Sequence, residues 1–139
     1  MRKGQAELVE TLLPQIAVPA DGPVTAERLF GRDVPLHFEI GFGGGEHLAF
    51  RADLLPDHGF IGCEPFLNGV AQALGHIRDA HLANVRLWMG DALDVLRRVP
   101  DGALTMIASA AARVARNSRL KRLPRRRSSR SAWRAADWL

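Results

Sequence analysis

This sequence predicts an α/β fold built on a parallel sheet, and three observations point to it. Short apolar runs of strand length alternate with amphipathic runs of helix length. Successive strand-like runs end on an acid: Glu39, then Glu64, then Asp91. The first of these runs leads into a glycine-rich loop, "HFEIGFGGGEHL", residues 37–48. Strands that alternate with helices need right-handed crossovers, and these give parallel pairing. The expected architecture is therefore the N-terminal half of a doubly wound sheet, with about four parallel strands and their helices.

Each element follows from its own pattern. "QAELVETLLPQIAV" places Leu8, Val9, Leu12, Leu13 and Ile16 at helical spacing, with Pro14 expected to end or kink the helix. "PADGPVTAERLFGRDVP" reads as a loop with one short helical turn. "LHFEI" reads as a strand and "EHLAFRADLL" as a helix. "GFIGCE" is a second strand. It is followed by "PFLNGVAQALGHIRDAHLA", a helix with Pro65 near its start and Phe66, Val70, Leu74 and Ile77 on one face. "NVRLWMGD" is a third strand, "ALDVLRRV" a short helix, "PDG" a turn, and "ALTMI" the start of a fourth strand.

The chain's 139 residues, 47% of them hydrophobic, suffice for one small domain with a core. No apolar run approaches the roughly 20 residues of a membrane span, and the N-terminus has no apolar signal core. The lone cysteine, Cys63, has no intrachain disulfide partner, so a cytoplasmic protein is expected. The net charge of +4 hides a split. Residues 108–139 hold nine Arg and one Lys against one Asp, or +9, which leaves −5 for residues 1–107. Two regions are expected: a partial domain at 1–107 and a basic tail at 108–139.

The glycine loop decides which cofactor to expect. A dinucleotide fingerprint starting at Gly41 needs glycine at position 46, where Glu46 stands. The loop is instead Glu39-x-Gly41-x-Gly43-x-Gly45. A pyrophosphate wants backbone N–H groups and no carboxylate beside them. Glu39 and Glu46 suit a cation better, and S-adenosylmethionine carries a sulfonium and an ammonium and no phosphate. Glu64 lies 64 − 43 = 21 residues beyond the middle glycine. A ribose-binding carboxylate is expected about 20 residues on. Asp91 ends the third strand and also reads as an N-cap for the next helix. Ligands of open α/β sheets bind beyond the carboxyl ends of the strands, so the three acids are expected to face one crevice.

"HFEIGFGGGEHL", "GFIGCEPFLNGVAQAL" and "NVRLWMGDALDVLRRVPDGAL" together resemble the bacterial tRNA (guanine-N7-)-methyltransferases, from about Gln5 to Ile107. The resemblance implies the Rossmann-like fold of S-adenosylmethionine-dependent methyltransferases, and cofactor binding by Glu39, Glu64 and Asp91 with Gly41, Gly43 and Gly45 shaping the loop. It also implies tRNA as substrate, methylated at N7 of a guanine. The family's fourth strand runs into a Pro-Asp-Pro-Trp segment that serves the reaction, and this sequence contains none. No catalytic residue can therefore be assigned.

After the fourth strand the sequence becomes "ASAAARVARNSRLKRLPRRRSSRSAWRAADWL". It reads as an RNA-binding arm, a solvated extension, or out-of-frame translation of the gene's second half. The abrupt loss of resemblance favours the last. A truncated, weakly active or inactive methyltransferase is thus the expectation. The alternative is a non-enzymatic protein that binds S-adenosylmethionine and RNA, and an NAD-linked oxidoreductase ranks third.

Other polar residues read more plainly. None of the five histidines makes an i, i+4 metal pair, so no metal is expected and all five read as surface or loop residues. Cys63 reads as buried packing in mid-strand. Asn68 reads as helix-surface polarity that approaches the adenosine end of the cofactor at most, while Asn84 and Ala92, flanking the third strand, are weaker candidates to line an adenine pocket through backbone groups.

Overall fold

The computed structural model describes residues 1–109. The expectations for the tail lie outside the described residues from 110 onward. The elements run α1 (Lys3–Thr11), α2 (Leu13–Ile16), α3 (Ala26–Phe30), β1 (Leu36–Ile40), α4 (Glu46–Leu54), β2 (Gly59–Cys63), α5 (Leu67–Asp79), β3 (Val85–Trp88), α6 (Ala92–Leu96) and β4 (Leu104–Ser109). The four strands form one parallel sheet in the order β3-β2-β1-β4. The order reverses after β3, as a doubly wound sheet requires.

Two apolar layers cover the sheet. On one face Leu8 of α1, Leu48 of α4, and Val70, Leu74 and Ile77 of α5 pack with Phe60 of β2 and Val85 and Leu87 of β3. On the other, Leu29 of α3 and Val95 of α6 pack with Leu36 and Phe38 of β1 and Ile61 and Cys63 of β2. The two-residue alternation of a strand produces this division, because neighbouring side chains point to opposite faces. It also sends His37 and Glu39 of β1 to the first face, the side of α4 and α5.

The structure moves several expected features. The first helix breaks at Leu12, before Pro14, and Pro14 sits in the first turn of α2, where its missing N–H costs no helical bond. Phe66 is 73% exposed and caps α5 from outside, so it is not part of that helix's buried face. The face is completed by Ala71 and Ala73. Cys63 is buried as expected, but at the end of β2. β4 continues through Ala108 and Ser109, two residues past the point where the basic tail was expected to begin.

Candidate functional site

The glycine loop joins β1 to α4. Gly41, Gly43 and Gly45 all have positive φ, at 64°, 61° and 78°. At Gly45, the N-cap of α4, a side chain is barred twice over: φ is left-handed, and a Cβ would meet the Cβ of Ala73 at 2.5 Å. A second close approach was not anticipated. A Cβ on Gly69 of α5 would lie 2.3 Å from the carbonyl oxygen of Gly43. Gly69 therefore lets α5 press against the back of the loop. Nothing local marks this residue, which in sequence is one more small residue in a helix.

The loop is tied to the ends of the neighbouring strands. The Gly41 N–H donates to the Cys63 carbonyl at 2.8 Å, and the Gly43 N–H to Oε2 of Glu64 at 2.8 Å. The other oxygen, Oε1, accepts from the Phe66 N–H at 3.3 Å. The Glu64 carbonyl accepts from the Gly90 N–H at 3.2 Å, which links the loop after β3 to the same point. Glu64 is buried, and its two backbone donors hold its carboxylate in place. An ionised carboxylate has about four acceptor positions. Two remain for a ligand's hydroxyls, as a ribose would offer.

Glu39, next to last in β1, is 1% exposed. Its Oε1 lies 3.2 Å from Nδ1 of His47, in the first turn of α4. Asp91 stands at the start of α6, exposed, and its Oδ1 accepts from the Leu93 N–H at 2.9 Å. The capping role is realised, and it leaves the second oxygen of the carboxylate outside the cap. The three acids thus occupy the carboxyl ends of β1, β2 and β3, which are adjacent in the sheet. Glu46 opens α4, exposed, with an oxygen 3.7 Å from Nε2 of His76.

The residues present fit a cationic, phosphate-free nucleoside. Two buried carboxylates and one exposed carboxylate line the strand ends, and the loop's Gly43 N–H is already taken by Glu64. A pyrophosphate would meet negative charge here and a loop N–H already committed. Among the described residues no cluster suits a metal ion.

One residue considered from sequence lies elsewhere. Asn84 is at the opposite end of the sheet, just before β3. Its side-chain Nδ2 donates to the carbonyls of Ala52, Leu55 and His58 at 2.9–3.0 Å. It closes the C-terminus of α4 and does not line an adenine pocket there. Ala92 follows Asp91 at the start of α6, with its methyl buried in the second apolar layer. Asn68 lines a groove of about 930 Å³ between the start of α1 and α5, shared with Gln72, His76 and Glu46. His37, read as surface, is buried in β1.

A family model described as "Putative methyltransferase" matches residues 33–109, from just before β1 to the end of β4. The chain is 70% identical over 107 residues to a tRNA (guanine-N(7)-)-methyltransferase of Erythrobacter litoralis, covering 77% of this chain and 46% of that protein. It is 70% identical over 112 residues to the protein of that name from Sphingopyxis alaskensis, with coverage of 77% and 47%. It is 60% identical over 104 residues to one from Zymomonas mobilis, with coverage of 75% and 45%. The chain spans somewhat under half the length of these curated relatives. Among the described residues no helix is long and apolar enough to cross a membrane.

Proposed function

The chain belongs to this methyltransferase family, whose model covers more than half of its 139 residues, and from that premise we propose that it is the cofactor-binding part of a cytoplasmic tRNA (guanine-N7-)-methyltransferase, taking S-adenosylmethionine at the carboxyl ends of β1–β3. The observation that carries the reading is the buried Glu64, held by the Gly43 and Phe66 N–H groups with acceptor positions to spare for a ribose. The names of the relatives support the tRNA substrate.

When bound, S-adenosylmethionine supplies a methyl group on a sulfonium. The chain's own residues bind and orient. Glu64 accepts the ribose hydroxyls. Glu39 and Asp91 place negative charge along the strand ends, where it favours a cationic ligand over an anionic one. The glycine loop lets the ligand lie against the backbone. Guanine N7 already has a nucleophilic lone pair, so the remaining work is to place it in line with the methyl. The Pro-Asp-Pro-Trp segment that serves that step in the family does not occur in these 139 residues.

Equilibrium titration of the purified chain tests this. S-adenosylmethionine should bind and NAD should not, and methyl transfer to tRNA should be slight or undetectable. Binding of NAD in preference to S-adenosylmethionine would overturn the cofactor assignment. Methyl transfer at a rate typical of the full-length relatives would overturn the incomplete-site reading.

A further inference from the structure

Glu39 and His47 flank the glycine loop, one just before it and one just after. The Glu39 side chain is 2% exposed, while that of His47 is 31% exposed. Burying a carboxylate is costly unless strong hydrogen bonds keep it ionised and in place. The 3.2 Å contact from His47 Nδ1 to Glu39 Oε1 is such a bond. An ionised carboxylate only accepts, so Nδ1 must carry the hydrogen, and the neutral imidazole is fixed as the Nδ1–H tautomer. The bond spans the loop from the end of β1 to the first turn of α4, so it ties the carboxylate to the start of the helix.

We infer that His47 is a positioning residue for the cofactor: its Nδ1–H orients the Glu39 carboxylate at the strand end, so that affinity for the cationic ligand depends on the donor at Nδ1. This rests on the reading that S-adenosylmethionine occupies the strand ends. Glu46, the neighbouring acid, pairs toward His76 on α5 and does not substitute for Glu39. The imidazole's partly exposed location is the ordinary one for a first-turn helix residue. A buried acid as its partner is not.

The test is titration of S-adenosylmethionine into the 139-residue chain and three variants, with thermal melting of each. Losing a hydrogen bond to a charged group should weaken binding by His47→Ala about tenfold or more. His47→Asn places an amide N–H close to where Nδ1–H lies and should bind within about threefold of the parent chain. His47→Gln reaches instead to the Nε2 position and should be as weak as alanine. If Asn and Gln bind alike, at any strength, the inference fails. That comparison stands even if His47→Ala does not fold. A parent chain that does not bind S-adenosylmethionine overturns the cofactor reading and this inference with it. Binding by the parent with indifferent variants overturns this inference alone.

Discussion

At the amino end of the parallel sheet, the buried polar residues Asn84 and His37 bond to other protein groups. Asn84 donates to three carbonyls at the end of α4 and the start of β2. Its amide has two hydrogens, so the three acceptors share them. His37 stacks on Phe60 with ring centroids 4.6 Å apart, and its two nitrogens contact Arg51 at 3.0 Å and His58 at 2.8 Å. Arginine can only donate, so Nδ1 of His37 is the acceptor and Nε2–H points to His58. At the carboxyl end stand the two buried carboxylates, Glu39 and Glu64. Glu64 takes two backbone N–H groups and has room for more. The contrast shows how one sheet divides its labour. At the amino end His37 and Asn84 tie crossovers to the sheet, while at the carboxyl end Glu64 keeps acceptor positions beyond its two backbone donors.

This comparison can be broken most severely at Asn84. Replacing it with alanine strands three carbonyls at the end of α4 and the start of β2, and the expected cost is about 2–4 kcal/mol of unfolding free energy in urea. The affinity of the remaining folded protein for S-adenosylmethionine should be unchanged. A large loss of affinity without loss of stability would put Asn84 in the ligand site after all.

His37 gives a comparable effect through pH. Burial first, then Arg51 and His58, lower its pKa from 6.5 to about 4. The unfolded chain therefore takes up this proton before the folded one as pH falls. The stabilisation is complete above pH 6.5 and is lost progressively down to about pH 4. The full difference amounts to about 3 kcal/mol at the usual conversion per pKa unit. Denaturant unfolding at several pH values should show this slope, and His37→Gln should lack most of it. Equal slopes for the two proteins would mean that other groups carry the acid sensitivity.

The smallest effect separates the two jobs of Asp91. Serine caps helices nearly as well as aspartate, so Asp91→Ser should change stability by no more than about 0.5 kcal/mol. It removes the carboxylate, so affinity for S-adenosylmethionine should fall several-fold. If binding does not change, Asp91 is only a cap, and the ligand-facing end shrinks to Glu39 and Glu64.

Much of this was legible without coordinates. The strand–helix alternation, the loop and the three strand-end acids are readable because each depends on local spacing. A strand ends where its alternation ends, and the acid there must lie at the carboxyl edge of a parallel sheet. The misreadings share a cause. Phe66 fits the helical period, yet the helix begins one residue later and leaves it outside. His37 is polar by type but lies second in β1, where its neighbours Leu36 and Phe38 take the opposite face.

The sequence by itself determined the fold class, the place of the glycine loop between a strand and a helix, and the identity of the strand-end acids, since these follow from the order and chemistry of neighbouring residues. Only the tertiary structure decided how those acids are held. Gly69 presses against Gly43, Glu64 is fixed by Gly43 and Phe66, His47 turns back to Glu39, and Asn84 closes α4 from 32 residues away. The contacts of Gly69, of Glu64 with Gly43, and of Asn84 form because a crossover returns the chain to the sheet at a particular height. That height is set by how the apolar layers pack, a property of the assembled core rather than of any one segment.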